Sequence, residues 1–335
     1  MSFPYLHRSY SSAVGRRPKA QGAGILDASL SPYGESFTRG AAERRSSPAP
    51  AMISMVRSAH GASAMIIAQI SDTHITEAGG DVDRSYDTAA HLQRAVAHLN
   101  GLPARPDVVF VTGDCVDRGT LAEYERFQAL LRPLTMPVHV IPGNHDDRVL
   151  LRQVFGTQGA QHMDGFIQYV VDAGPVRLVA LDTNVPGRPG GYLCPERLRW
   201  LEERLAEAPA RPTMILMHHP PFRTGLEVMD RMGLERADAL GAVVARFPQV
   251  ERVVAGHVHC AMQRRFHGTI ALTCPSTAHQ IFPDLQRPER LAVFMAPPAC
   301  LLHVWNETTG LVTCTSAIGE YGPVKELYDG EKWLA

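Results

Sequence analysis

Five short polar blocks, each set directly after an apolar, β-branched run, constrain this 335-residue chain more than any other feature. They are Asp72-Thr-His74, Gly113-Asp114, Gly143-Asn144-His145-Asp146, His218-His219-Pro220 and Gly256-His257-Val-His259. The runs before them read as strands over Met65 to Ile70, Asp107 to Thr112, Pro137 to Ile141, Thr213 to Met217 and Val250 to Ala255. In an open α/β sheet the carboxyl ends of strands are where sites form, so five blocks at five such ends predict one shared site.

A composition of 45% hydrophobic and 20% charged residues suits one large domain, or a domain with an appendage. The formal net charge is -1, and no Lys/Arg stripe is interleaved with aromatics, so no nucleic-acid groove is expected. A small anionic substrate would then have to be held by metal. No apolar run approaches the ~20 residues of a membrane helix, so the chain reads as soluble, with no membrane partner. The six cysteines lack a C-x-x-C pair or a repeating frame, which suits a reducing cytoplasm. Cys260 follows His259, but strand alternation would turn its side chain away.

Residues 1–64 are rich in Arg, Ser, Gly, Ala and Pro, poor in acids and without sustained periodicity, and read as a disordered N-terminal extension. Such an arm also has the composition of an organellar transit peptide or tether, though it lacks an amphipathic helix and an apolar secretory core. From Met65 onward the rhythm of strand, polar loop and helix predicts layered α/β architecture. Packing helices are expected over Tyr86 to Leu99, Thr120 to Leu131, Pro195 to Leu205 and Leu234 to Phe247. Beyond His259 come short strands, Gln263 to Phe266 and Thr269 to Thr273, then a hairpin of Leu301 to Trp305 and Leu311 to Thr315. The Pro-rich stretch from Pro275 to Pro298 reads as a loop or cap near the site mouth or at a subunit contact. The expected division is a core over 65–274 and a C-terminal cap with closing strands over 275–335.

Asp-x-His on an extended segment would present Asp72 and His74 on one side, and His257 and His259 would share a side for the same reason. Gly113 lets the backbone approach closely, and Asp114 adds a carboxylate that can bridge two cations. Asn144 offers a neutral oxygen that limits negative charge where phosphate binds. Gly256 clears room for metals. Asp72, His74, Asp114, Asn144, His218, His257 and His259 thus form a mixed oxygen and nitrogen donor set that suits two divalent ions, with Fe, Mn, Zn and Co all open. Two such ions ~3.5–4 Å apart would favour phosphoester hydrolysis.

The motifs D-x-H, G-D-x-x-D, G-N-H-D, H-H-P-P and G-H-x-H stand here as Asp72-Thr-His74, Gly113-Asp-Cys-Val-Asp117, Gly143-Asn-His-Asp146, His218-His-Pro-Pro221 and Gly256-His-Val-His259. In them the chain resembles the calcineurin-like metallophosphoesterases, in particular the branch of class III cyclic-nucleotide phosphodiesterases and glycerophosphodiesterases. The resemblance covers roughly Met65 to Gly322. It implies a four-layer α/β/β/α sandwich with two mixed sheets and a small C-terminal cap. It assigns Asp72, His74, Asp114 and His259 to one metal and Asp114, Asn144, His218 and His257 to the other. By the same resemblance His145 and Asn144 face substrate, with His145 and Asp114 catalytic, while Asp117 and Asp146 orient imidazoles and His219 supports or packs. The resemblance extends to Thr277-Ala-His279-Gln280, where His279 is either a site residue or an ordinary loop histidine.

The expected activity is hydrolysis of small phosphodiesters, 3',5'-cyclic AMP or glycerophosphodiesters, by attack of a metal-bridging hydroxide. Alternatives on the same site are a phosphomonoesterase or protein phosphatase, and a non-catalytic scaffold that keeps the fold as a binding surface. Relatives self-associate through the cap, so a homo-oligomer is a further expectation.

Overall fold

The computed structural model describes residues 64–172 and 174–334. The expectation for residues 1–64 therefore lies outside the described residues, Ala64 excepted.

The apolar runs pair as their composition requires. β1 (Met65–Ile70), β2 (Val108–Thr112) and β3 (Val138–Ile141) are parallel neighbours. β4 (Tyr169–Asp172) is antiparallel to β5 (Arg177–Ala180), and two-residue β6 (Gly191–Tyr192) pairs with β8 (Leu234–Glu235). β5, β7 (Thr213–Leu216), β9 (Val250–Ala255) and β11 (Thr269–Thr273) run parallel, with β10 (Gln263–Phe266) antiparallel at the edge. β12 (Gln280–Ile281) and β13 (Val293–Phe294) form a small antiparallel pair inside the Pro-rich stretch. The hairpin of β14 (Ala299–Asn306) and β15 (Gly310–Ala317) returns to lie beside β1. Two mixed sheets result, in the orders β15-β14-β1-β2-β3 and β10-β11-β9-β7-β5-β4.

Period-two alternation then divides the layers. Leu178, Ala180, Met214, Leu216 and Val254 pack in one core with side chains of β1 and β2. Their neighbours Val179, Leu181, Ile215, Met217 and Val253 pack with Trp200, Leu201, Leu205 and Val243 of the helices Pro195–Ala206 and Ala237–Val244. Parallel strands buried on both faces are the expected consequence. Beside the first sheet, the helix Thr88–Gly101 buries Leu92, Ala95, Val96 and Leu99. The helix Leu121–Leu131 buries Tyr124, Phe127 and Leu131, its start fixed by a capping box of Thr120 and Glu123.

Two helix expectations change. The first segment is split by Asp87, at φ 49°, into a short helix Asp81–Tyr86 and the longer Thr88–Gly101. Leu234 lies on β8, and Arg236 at φ 55° turns the chain before the helix Ala237–Val244 begins. β4, β5 and the helix Arg148–Phe155 lie outside the expected elements; the helix, about two turns long, is too short to show a period.

Candidate metal centre

The polar blocks do not continue their strands. Asp72 (φ 53°), His74 (43°), Asp114 (46°), His257 (71°) and His259 (52°) all have left-handed backbones. This corrects the expectation that Asp72 and His74, or His257 and His259, converge by alternating along an extended segment. Sharp turns right after the strand ends bring the side chains to a common point. Left-handed backbone at a non-glycine residue costs on the order of 1–3 kcal/mol, so something must hold it. Here the amides of Asp72 and His74 donate to the Gly113 and Asp114 carbonyls at 3.1 and 3.0 Å. The His257 amide donates to Asp72 Oδ1 at 3.0 Å. Gly256 makes room for that carboxylate, since a Cβ there would stand 2.8 Å from Asp72 Oδ2 and collide with Ser71 Oγ.

The side chains meet around the Asp114 carboxylate. Its Oδ2 lies 3.6 Å from His74 Nε2 and 3.4 Å from His218 Nε2. On one side His74 Nε2 and His259 Nε2 face each other at 3.1 Å, with Asp72 Oδ1 3.5 Å from His259 Nε2. On the other, Asn144 Oδ1 is 3.2 Å from His218 Nε2, and the buried His257 Nε2 has no hydrogen-bond partner. Partners behind the rings decide which nitrogens carry lone pairs. His259 Nδ1 donates to the His279 carbonyl at 3.0 Å and His218 Nδ1 to the Thr112 carbonyl at 2.8 Å. His74 Nδ1 sits 3.4 Å from Asp117 Oδ1. In the neutral rings the Nε2 lone pairs therefore point inward, and the facing Nε2 atoms of His74 and His259 at 3.1 Å leave a place for a cation. The donor set and the unpartnered His257 nitrogen fit the two-ion expectation.

Electrostatics agree. Burial would raise the Asp114 carboxyl, yet the imidazoles of His218, His145 and His74 hold it well below the usual range. Burial works against protonated His218, but the Asp114 carboxylate beside it, helped by Asp72, holds it up at about 9. Burial lifts Asp72 to about 6 and lowers His259 to about 4. His257, buried beside His219 and His218, lies well below its ordinary value. A neutral imidazole is the form that binds metal.

The supporting residues divide differently from expectation. Asp117 touches imidazoles twice, through its carboxylate to His74 and through its carbonyl, which accepts from His145 Nδ1 at 2.7 Å. Asp146 orients no imidazole. Its carboxylate accepts the amides of Gly143 (2.8 Å) and Cys115 (3.1 Å) and the Tyr124 hydroxyl (3.0 Å), so it ties two loops together. His219 has both nitrogens engaged, Nδ1 with Thr183 Oγ1 at 2.8 Å and Nε2 with the Pro189 carbonyl at 3.1 Å. Both contacts suit the supporting role expected of it, although its ring also lies in one group with His218 and His257. Cys260 donates to the Val258 carbonyl and stands outside the clusters of candidate ligands among the described residues.

Two contributors were missed or left open. Asp182-Thr-Asn184 follows buried β5 as a sixth polar block. Asn184 Nδ2 donates to the carbonyls of Gly143 and Asp146, the latter at 2.9 Å, bracing the Gly143–Asp146 loop. The run Leu178–Leu181 before a polar triplet was the available signal. His279 belongs to the site: its ring is 4.8 Å from that of His259 and stacks on Tyr86 at 4.4 Å. Burial and the nearby His259 and His74 push it down to about 2, so it is neutral.

A family model described as calcineurin-like phosphoesterase matches residues 65–261. The chain is 37% identical over 265 residues to a protein of Arcobacter nitrofigilis named a probable glycerophosphodiester phosphodiesterase, a match covering 77% of this chain and 96% of that one. A glycerophosphodiester phosphodiesterase of Enterobacter lignolyticus is 35% identical, over 71% of this chain and 86% of its own length. A 3',5'-cyclic adenosine monophosphate phosphodiesterase of Pseudomonas aeruginosa is 32% identical, over 65% and 78%. Among solved structures, a dimetal phosphatase from Danio rerio has the same fold, with a TM-score of 0.56 at 17% identity, covering 76% of this chain and 99% of that one.

With the His218 pKa raised from 6.5 to about 9, its proton is held in the metal-free fold at neutral pH, and the stability it contributes is lost as pH rises through about 9. A metal ion taking His218 as a ligand would have to displace that proton. Manganese titrated calorimetrically at neutral pH, in buffers of different protonation enthalpy, is expected to release about one proton per chain, falling toward none above about pH 9. No release at neutral pH would contradict the His218–Asp114 pairing.

Proposed function

Because the chain belongs to the calcineurin-like phosphoesterase family, we propose that it is a dimetal hydrolase of small phosphodiesters, glycerophosphodiesters first and 3',5'-cyclic AMP second. The observation that carries this reading is the Asp114 carboxylate set between His74 and His218, with a facing pair of nitrogens on one side and an unpartnered nitrogen on the other. Asp72, His74, Asp114 and His259 would hold one ion, and Asp114, Asn144, His218 and His257 the second. Bound there, the two ions would supply a hydroxide nucleophile and charge to stabilise the phosphoryl oxygens. The order of substrates follows the greater identity and coverage of the relatives named for glycerophosphodiesters.

His145 is the candidate for meeting substrate. Its side chain is 35% exposed, against 0–8% for the imidazoles of His74, His218 and His259. With Nδ1 held by the Asp117 carbonyl, Nε2 is the nitrogen left for a phosphoryl oxygen or a leaving alkoxide. Burial acts against a charge there, but Asp114 and Asp117 raise its pKa, which favours the proton-donating form. Asn144, half-buried beside it, would share contact with substrate.

A panel at fixed manganese loading tests the substrate class. Catalytic efficiency on glycerophosphoethanolamine and cyclic AMP is expected to exceed that on phosphomonoesters and phosphopeptide. The reverse order would establish the phosphatase alternative, and two bound ions without turnover the scaffold alternative. His145→Ala is expected to lower kcat by about 100-fold while leaving metal content intact. Loss of both ions in that variant would remove His145 from the substrate side.

The same reading includes self-association through the cap and a cytoplasmic setting. Phe282, Leu285, Leu291, Phe294 and Met295 are 40–69% exposed around β12 and β13, and an apolar surface of this kind is more often covered than bare. The six cysteines are free, which supports a reducing compartment, and no helix among the described residues is long and apolar enough to cross a membrane. Light scattering of the purified chain is expected to give a dimer or larger species, and Phe294→Glu to shift it toward monomer. A monomeric wild type would overturn the assembly reading, and recovery of the chain from a secreted fraction would overturn the cytoplasmic one.

A further inference from the structure

Behind the metal centre a buried polar chain runs from the closing hairpin to two strand ends. Gln69 of β1 is fully buried and donates both amide hydrogens, one to Thr112 Oγ1 at 2.8 Å and one to the Ala255 carbonyl at 3.0 Å. Its Oε1 lies 3.1 Å from Nε2 of His303 on β14, and His303 Nδ1 is 2.9 Å from Thr313 Oγ1 on β15. Two donors and one acceptor on the amide leave a single self-consistent arrangement. His303 Nε2 carries the hydrogen, and Nδ1 accepts from the threonine hydroxyl.

The partners of Gln69 belong to different sheets. Thr112 is the last residue of β2 and Ala255 the last of β9. One residue beyond Thr112 begins Gly113-Asp114, and its carbonyl accepts from His218 Nδ1 at 2.8 Å. One residue beyond Ala255 begins Gly256-His257. A leucine in place of this fully buried amide would carry no comparable desolvation cost. What the amide adds is direction: it couples two strand ends that an apolar contact would leave free to slide.

We propose that Gln69, braced by His303, is a positioning residue that fixes the β2 end against the β9 end and so sets the Asn144, His218 and His257 donor group relative to the Asp114 carboxylate. The inference rests on the dimetal reading and adds that one of the two positions depends on a side chain that touches neither ion. His218 is held through the Thr112 carbonyl and His257 follows Ala255, so that position carries the dependence.

The test is manganese binding to the full chain, with unfolding temperature measured in parallel. Gln69→Leu is expected to weaken one of the two manganese sites by about 10–100-fold and leave the other within about threefold. Saturating manganese should then restore most of the kcat on bis(p-nitrophenyl) phosphate with KM unchanged, a pattern that mere loss of stability does not produce. Leu99→Ala, in the core away from the site, serves as the stability control and is expected to keep both wild-type constants. Both constants unchanged in Gln69→Leu would overturn the proposal. Should that variant fail to fold, Thr112→Val, which keeps the shape and removes only the hydroxyl, must weaken the same site; unchanged binding there overturns the proposal equally. Fewer than two ions in the wild type would instead overturn the dimetal reading, and this inference with it.

Discussion

A buried carboxylate between two imidazoles is the interaction on which this structure turns. Asp114 is 2% exposed, and a charge taken out of water to that degree is tolerable only with compensating partners. His74 and His218 supply part of that compensation from opposite sides, and the His145 amide donates to Oδ1 at 3.0 Å. His74 brings a cost of its own, since its Nε2 faces that of His259 at 3.1 Å. A pair of cations would resolve both demands, because each would be held by neutral nitrogens and share the one central charge.

That convergence explains the architecture around it. Parallel β1, β2 and β3 in one sheet and β5, β7 and β9 in the other deliver their carboxyl ends from both layers. Left-handed turns at Asp72, Asp114 and His257 then fold the first polar residues back across the interface. The strain is offset by hydrogen bonds between blocks, within one sheet at Asp72 and His74 and between the two sheets where the His257 amide meets Asp72. Gln69 repeats the principle one layer deeper.

Much of this was legible in the sequence, for identifiable reasons. Buried parallel strands write themselves as unbroken β-branched runs, and a residue such as Asp114 or His218 at the end of one has few purposes besides chemistry. All seven expected ligands come to one place. The less legible parts depend on partners far apart in the chain. That His219 is occupied by Thr183 and Pro189, or that Asp146 holds amides and a tyrosine, cannot be read from the residues beside them. In the sequence Gln69 is one polar residue in an apolar strand; its three partners are 43, 186 and 234 positions away. The turns at the blocks were misread as extended because no glycine marks Asp72, His74 or His259.

The account rests on two cations flanking the Asp114 carboxylate. Anomalous diffraction from crystals grown with manganese measures this directly. Two peaks about 3.5–4 Å apart are expected, both within coordinating reach of Asp114, one beside His74 and His259 and the other beside His218 and His257. A single peak, or two peaks of which one does not touch Asp114, would contradict it.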